Sequence, residues 1–153
     1  MVAFLKPIEM HSESDAVQEP EKILLEFISA MNAWERTCAD RSREWKGQGR
    51  IENDRVQMEE TNARDLEQIF AKYCAPNQSR TQAMVWRRPP EYDLQTEKII
   101  EVAQEGAKCR IRTEYTGNPR PEVHEYLLAR SGAHWRLQRK SLVLGDKLDK
   151  LIL

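Results

Sequence analysis

The sequence predicts an α+β fold in which N-terminal helices pack on a curved antiparallel sheet. Two observations carry this. Between residues 20 and 73 the apolar residues recur at three- and four-residue steps, the period of an amphipathic helix. After Arg80 the period falls to two, with turn residues between short runs, as in antiparallel strands. Helices followed by a meander belong to the α+β class, and a sheet curved around a long helix makes a cone.

The elements follow in order. Residues 1–19 combine sparse hydrophobes with the polar run HSESDAVQE and read as a weakly ordered arm, docked at most through Phe4, Leu5 and Ile8. Residues 20–153 then form one domain. Pro20 suits the first turn of a helix, and Glu19 and Glu21 lie on the favourable side of its dipole. Leu24, Phe27, Ile28, Met31, Trp34, Cys38 and Trp45 fall on one stripe, and GQG stops the helix after about Lys46. A weaker helical pattern runs from Arg50 to Tyr73 through Ile51, Val56, Met58, Leu66, Ile69 and Phe70. A break is expected near Thr61-Asn62, with Asn62 as N-cap of a second piece. APNQS ends the helical half.

Strands are expected at TQAMVWRR, halted by Pro89-Pro90, then at TEKIIEVAQ and GAKCRIRTEYTG. In the last of these, Cys109, Ile111, Thr113 and Tyr115 alternate with Lys108, Arg110, Arg112 and Glu114, as in a half-buried strand. EVHEYLLAR and AHWRLQRKSLVL form a hairpin turned at Ser131-Gly132. After Gly145, DKLDKLIL closes as a short helix or a final strand. Trp135 and Leu137 are expected to face the long helix, with His134, Arg136 and Gln138 outward beside His124 and Tyr126.

The chain has 153 residues, a length that buries roughly 70% of its extended surface in a single domain. The net charge of −1 creates no overall field for nucleic acid or a membrane surface. Residues 1–75 carry 15 acidic and 10 basic side chains, and residues 76–153 carry 10 and 14, an asymmetry that reads as internal complementarity. Cys38, Cys74 and Cys109 are far apart, with no CxxC pair, and read as small buried hydrophobes with neither a disulfide framework nor a zinc site. MVAFLKPIEM meets a charge and a proline too early for a signal peptide, and no run approaches the ~18 apolar residues of a membrane span. The expected location is the cytoplasm.

No P-loop, dinucleotide fingerprint or HExxH is present, and no cofactor is called for. His124 and His134 lie on the two strands of one hairpin but lack a third ligand, so no metal site is expected. The core is expected to hold Leu24, Phe27, Ile28, Met31, Trp34, Trp135 and Leu137, with the indole N–H groups satisfied locally. Trp86 differs from the other tryptophans. It adjoins Arg87 and Arg88 in WRRPPEYD, with Tyr92 beyond, a residue mix enriched at interface hot spots. Lys108, Arg110 and Arg112 form a basic strip on one sheet face. Its footprint is small for phosphates, and no aromatic is interleaved, so nucleic acid is not the expected partner.

EFISAMNAWE, the hairpin YLLARSGAHWRLQRK and the close GDKLDKLIL together resemble the nuclear-transport-factor-2-fold immunity proteins of bacteria. The resemblance covers Pro20 to Leu153. The proline-rich WRRPPEYD loop and residues 1–19 depart from it. It implies a cone-shaped protein without a catalytic site that binds and neutralises a cognate toxin domain encoded nearby, of the polymorphic, Rhs-type or type VI secretion effector kinds. Contact residues would come from Trp86, Arg87, Arg88, Tyr92, Arg110, Arg112, His124, Tyr126 and His134. The same cone also hosts isomerase- and dehydratase-like enzymes, so a small-molecule enzyme or binder is the alternative. Such a site needs a carboxylate and a tyrosine in an apolar pocket, for which Asp93 or Glu114 with Tyr115 or Tyr126 are the candidates. A homodimer through the open sheet face is the third option.

Overall fold

The computed structural model describes residues 18–76, 86–151 and 153. The arm before Gln18 and the first five residues of the TQAMVWRR strand lie outside the described residues. Trp86 to Arg88, the end of that expected strand, is loop.

Helix α1 runs from Pro20 to Gly47, with proline in its first turn and Lys46 in its last. Its stripe of Leu24, Phe27, Ile28, Met31, Trp34 and Cys38 is buried. Trp45 leaves that stripe: it is half-exposed, and its indole donates to the Ile51 carbonyl at 2.8 Å. Helix α2 runs unbroken from Glu52 to Tyr73. The expected break does not occur because Asn62 is used inside the helix pair. Its carbonyl accepts the Trp34 indole N–H at 2.8 Å, and its side-chain oxygen accepts Arg41, which also holds Asp65 at 2.9 Å. Ile51 and Val56 stay exposed, which is why the second stripe reads weakly.

Five antiparallel strands follow in meander order, β1(Glu97–Glu105), β2(Lys108–Tyr115), β3(Glu122–Ser131), β4(His134–Leu144) and β5(Lys147–Leu151). DKLDKLIL thus closes as a strand. The β3–β4 hairpin turns on Gly132 and Ala133, with Gly132 at φ 63°, where a side chain is strained. That two-residue turn pairs Ser131 with His134, so the odd residues of β3 share His134's face and the even residues face the helices with Trp135. His124 and Tyr126, expected outside, are therefore buried, at 3% and 0% exposure. His124 pairs with Leu142, at the other end of the hairpin from His134.

A bulge at Gln138 changes the parity of β4. Leu137 faces inward opposite Leu128, and beyond the bulge Lys140 faces inward opposite Tyr126. The sheet joins the helices through the segment after α2: the Ala75 N–H donates to the Leu137 carbonyl at 2.7 Å, and Arg136 donates to the Ala71 carbonyl at 2.7 Å. Arg136 thereby brings positive charge to the negative end of α2. At the centre of the core Phe27 meets Phe70, Tyr73 and Tyr92 edge-on, at centroid distances of 6.0, 6.2 and 5.5 Å. Each such pair contributes about 1 kcal/mol beyond burial. Trp34 satisfies its indole N–H as expected, whereas the buried Trp135 Nε1 has no hydrogen-bond partner among the described residues.

One end of the inward sheet face is polar. Glu97, 2% exposed, accepts the Thr113 and Tyr126 hydroxyls at 2.7 Å each. His124 stacks on Tyr115 at 5.0 Å and turns Nδ1 to Glu97 at 3.5 Å, too long for a good hydrogen bond. Its Nε2 lies 3.0 Å from a Glu122 oxygen. The Lys140 ammonium lies 4.5 Å from the centre of the Tyr92 ring and 5.7 Å from that of Tyr126. Burial alone would raise the Glu97 carboxyl, but His124, Lys140, Thr113 and Tyr126 together outweigh it and hold it below 4.5. The fold thus prefers ionised Glu97.

Three outcomes are expected. Glu97 contributes stability that is complete above its ordinary value of 4.5 and is lost as pH falls through the lower folded value. Glu97→Gln should lose about 3 kcal/mol at neutral pH, because Lys140 is left without its buried anion. Urea unfolding from about pH 3 to pH 7 should also show a flattened acid limb, and an unchanged limb would assign that dependence to other carboxylates. Gly132→Val should lower stability by at least about 1 kcal/mol through its left-handed φ, read as a drop in Tm.

Candidate functional site

The WRRPPEYD loop is built from helix α1 outward. Asn32 and Glu35 are one turn apart and address the same segment. The Asn32 amide donates to the Tyr92 carbonyl at 2.7 Å. Glu35, 2% exposed, accepts the Arg87 and Tyr92 backbone N–H groups, one on each carboxylate oxygen, both at 3.0 Å. Burial pushes the Glu35 carboxyl above its ordinary value, against the opposing pull of those amides. Its titration therefore works in the opposite direction to that of Glu97: the contribution of a raised carboxyl is present at low pH and lost as pH rises through the folded value.

With both ends of the loop tied to α1, Trp86 packs half-buried against the core and Tyr92 is buried at 2% exposure. The expected surface position of Tyr92 is thus incorrect, since its ring completes the aromatic set around Phe27. Arg87 and Arg88 are exposed. They overhang a cleft of about 230 Å³ lined by Glu35, Arg36, Ala39, Asp40, Arg43 and Pro90. Arg43 lies 3.2 Å from Asp40, and Arg87 3.8 Å from Glu91. Arg36 donates to the Asn32 side-chain oxygen at 2.9 Å, and neither Arg36 nor Arg88 has an acidic partner among the described residues.

The expected basic strip lies on the outward face of the sheet. Arg112 is held by Glu125 at 3.0 Å and approaches Glu101 at 3.8 Å, so its charge is largely compensated. Arg110 sits opposite Leu127, which pairs in turn with Arg139. Lys108, Arg110, Arg139 and Lys150 are exposed and lack ion pairs among the described residues, as does His134. The structure thus divides the expected contact residues. Arg87 and Arg88 line the α1 cleft while Trp86 packs half-buried against the core, Arg110, Arg112 and His134 lie on the outer sheet face, and Tyr92, His124 and Tyr126 are interior.

A carboxylate and a tyrosine do converge inside the cone, but the carboxylate is Glu97. Neither Asp93 nor Glu114 takes that place: Glu114 points outward opposite Val123. Glu35, Glu97 and Lys140 are the residues the sequence reading missed. Glu35 falls beside Trp34 on the apolar stripe, and that position was the available signal. Among the described residues no group of three or more His, Cys, Asp or Glu side chains is placed to hold a metal ion. No helix there is long and apolar enough to cross a membrane.

Comparison with protein families matches residues 19–150 to the NTF2 fold immunity proteins. No curated protein and no solved structure matches the chain. The match spans both helices and nearly all of the five-stranded sheet, and the helix-then-meander order agrees with it. The chain belongs to the family of NTF2-fold immunity proteins.

Proposed function

We propose that this protein binds a cognate toxin domain, encoded beside it, and blocks that toxin by occlusion without catalysing a reaction. The family match over residues 19–150 carries the reading. The interior carboxylates support it, because both already have donors. Glu97 takes two hydroxyls, and Glu35 takes two backbone amides. The loop over α1 supports it as well: tryptophan and arginine on a pinned backbone lose little entropy on docking. The partner's chemistry is that of a toxin acting in the cytoplasm, such as a nuclease or a nucleotide-consuming enzyme, and the protein would act there with it.

A cone-fold enzyme remains the second reading, favoured by the 2.7 Å contact between the Glu97 carboxylate and the Tyr126 hydroxyl. Burial and Glu97 hold that phenol well above its ordinary value, so it stays protonated as an oxyanion donor would.

Co-expression with the neighbouring toxin domain should restore growth, and the two chains should co-purify. Failure of both would overturn the immunity reading. Arg88→Ala should weaken the complex about tenfold, near 1.4 kcal/mol, with Tm unchanged. Glu35→Ala should weaken it by at least as much although Glu35 does not reach the surface, because the Arg87 and Tyr92 amides lose their acceptor. Titration calorimetry reads both. Unaltered affinity in Arg88→Ala and Glu35→Ala would move the interface to the outer sheet face.

A further inference from the structure

We infer that the α1 cleft is a carboxylate-binding subsite, which receives an acidic side chain projecting from the toxin domain. The inference rests on the toxin-binding reading above and adds the chemistry of the contact. Four guanidinium groups, those of Arg36, Arg43, Arg87 and Arg88, surround the cleft, against the two carboxylates of Glu35 and Asp40. Glu35 is occupied by backbone amides and lies 2% exposed, and Asp40 is engaged by Arg43 at 3.2 Å. Arg36 and Arg88 therefore stand as the uncompensated charges, one on the helix wall and one on the overhanging loop.

The surroundings select a carboxylate on an aliphatic stem. A volume of about 230 Å³ is enough for an inserted side chain. Ala39 and Pro90 supply apolar wall for the methylene groups, while the guanidinium forks match the geometry of a carboxylate head. A phosphate group would bring a second negative charge towards Asp40. Pre-organisation supports the same assignment. Arg36 is oriented by the Asn32 oxygen at 2.9 Å, and the backbone carrying Arg87 is fixed by Glu35 at 3.0 Å. The donors are in place before the partner arrives.

The test uses the full chain and a catalytically inactivated form of the neighbouring toxin domain. Wild-type affinity should fall at least about tenfold between ~50 and ~500 mM NaCl. R36E/R88E should weaken the complex at least about a hundredfold at low salt, with Tm lowered by no more than a few degrees since both side chains are exposed and only the Arg36–Asn32 bond is lost, and R36K/R88K should fall between. Toxin changes that restore binding to R36E/R88E should replace Asp or Glu with Lys or Arg. Affinity within about twofold of wild type after charge reversal would overturn the subsite while leaving the immunity reading intact. Restoring changes confined to basic or apolar toxin positions would do the same. A wild-type chain that forms no complex would overturn both.

Discussion

A buried carboxylate must find donors, and Glu35 finds them 52 and 57 residues along the chain. Much of the functional geometry depends on that constraint. An ionised carboxylate without partners at this depth would cost several kcal/mol, so α1 and the Arg87–Tyr92 segment are held together from both sides. Asn32, one turn earlier, closes the same segment onto the helix through the Tyr92 carbonyl. The loop's turn residues leave its backbone few internal hydrogen bonds, and α1 supplies those that fix it. The arginines are then aimed by the fold, because their backbone is held by groups buried beneath them.

The sheet meets a related demand by a different route. Glu97 sits at the start of an edge strand, and the β4 bulge decides which cation faces it, since strict alternation would turn Arg139 inward opposite Tyr126. The extra residue at Gln138 turns Lys140 inward, opposite Tyr126, and brings a compensating cation to the same end of the cone. One inserted residue thus does two things: it preserves Trp135 and Leu137 as core on one side of the bulge and sets a polar cluster on the other. Thr113 and Tyr126 complete that cluster from neighbouring strands, so four of the five strands meet in one network.

The order of elements was legible because each period persists long enough to be read. The α1 stripe repeats over about four turns from Leu24 to Cys38, and β2 alternates without a break. The faces of β3 were misassigned for a geometric reason. Placing His124 and Tyr126 beside His134 needs an odd number of loop residues, and the turn has two. The bulge was hidden as well, since a single extra residue leaves no compositional trace in LQRK. Of the four arginines of the candidate cleft, Arg87 and Arg88 were visible from their setting beside Trp86 and the prolines, whereas Arg36 and Arg43 lay on the polar face of α1 without a mark. Glu97 was not visible either, because a glutamate at the head of a polar-looking strand gives no sign of burial until its donors are known, and Glu35 was signalled only by its place on the apolar stripe.

Charge also bears on which surfaces remain open to a partner. A face-to-face pair of sheets would set Lys108, Arg110, Arg139 and Lys150 of one copy near the same four residues of the other. Each close approach of like charges costs about 1 kcal/mol at 4 Å even in water, and more as the interface dries. Glu101 and Glu125 offer little relief, being committed to Arg112 within the same sheet. Leu127, between Arg110 and Arg139, gives such an interface only a narrow apolar centre. Like charge therefore disfavours contact of the basic strip with its own copy and favours an acidic partner surface, with Glu105 and Glu114 on the same face limiting both effects. The outer sheet and the α1 cleft share one preference in sign, and they differ in shape: the first is a broad face, the second a socket. A socket with pinned walls discriminates between partners by fit as well as by charge, so under the proposed toxin-binding function the cleft is the surface suited to select one partner.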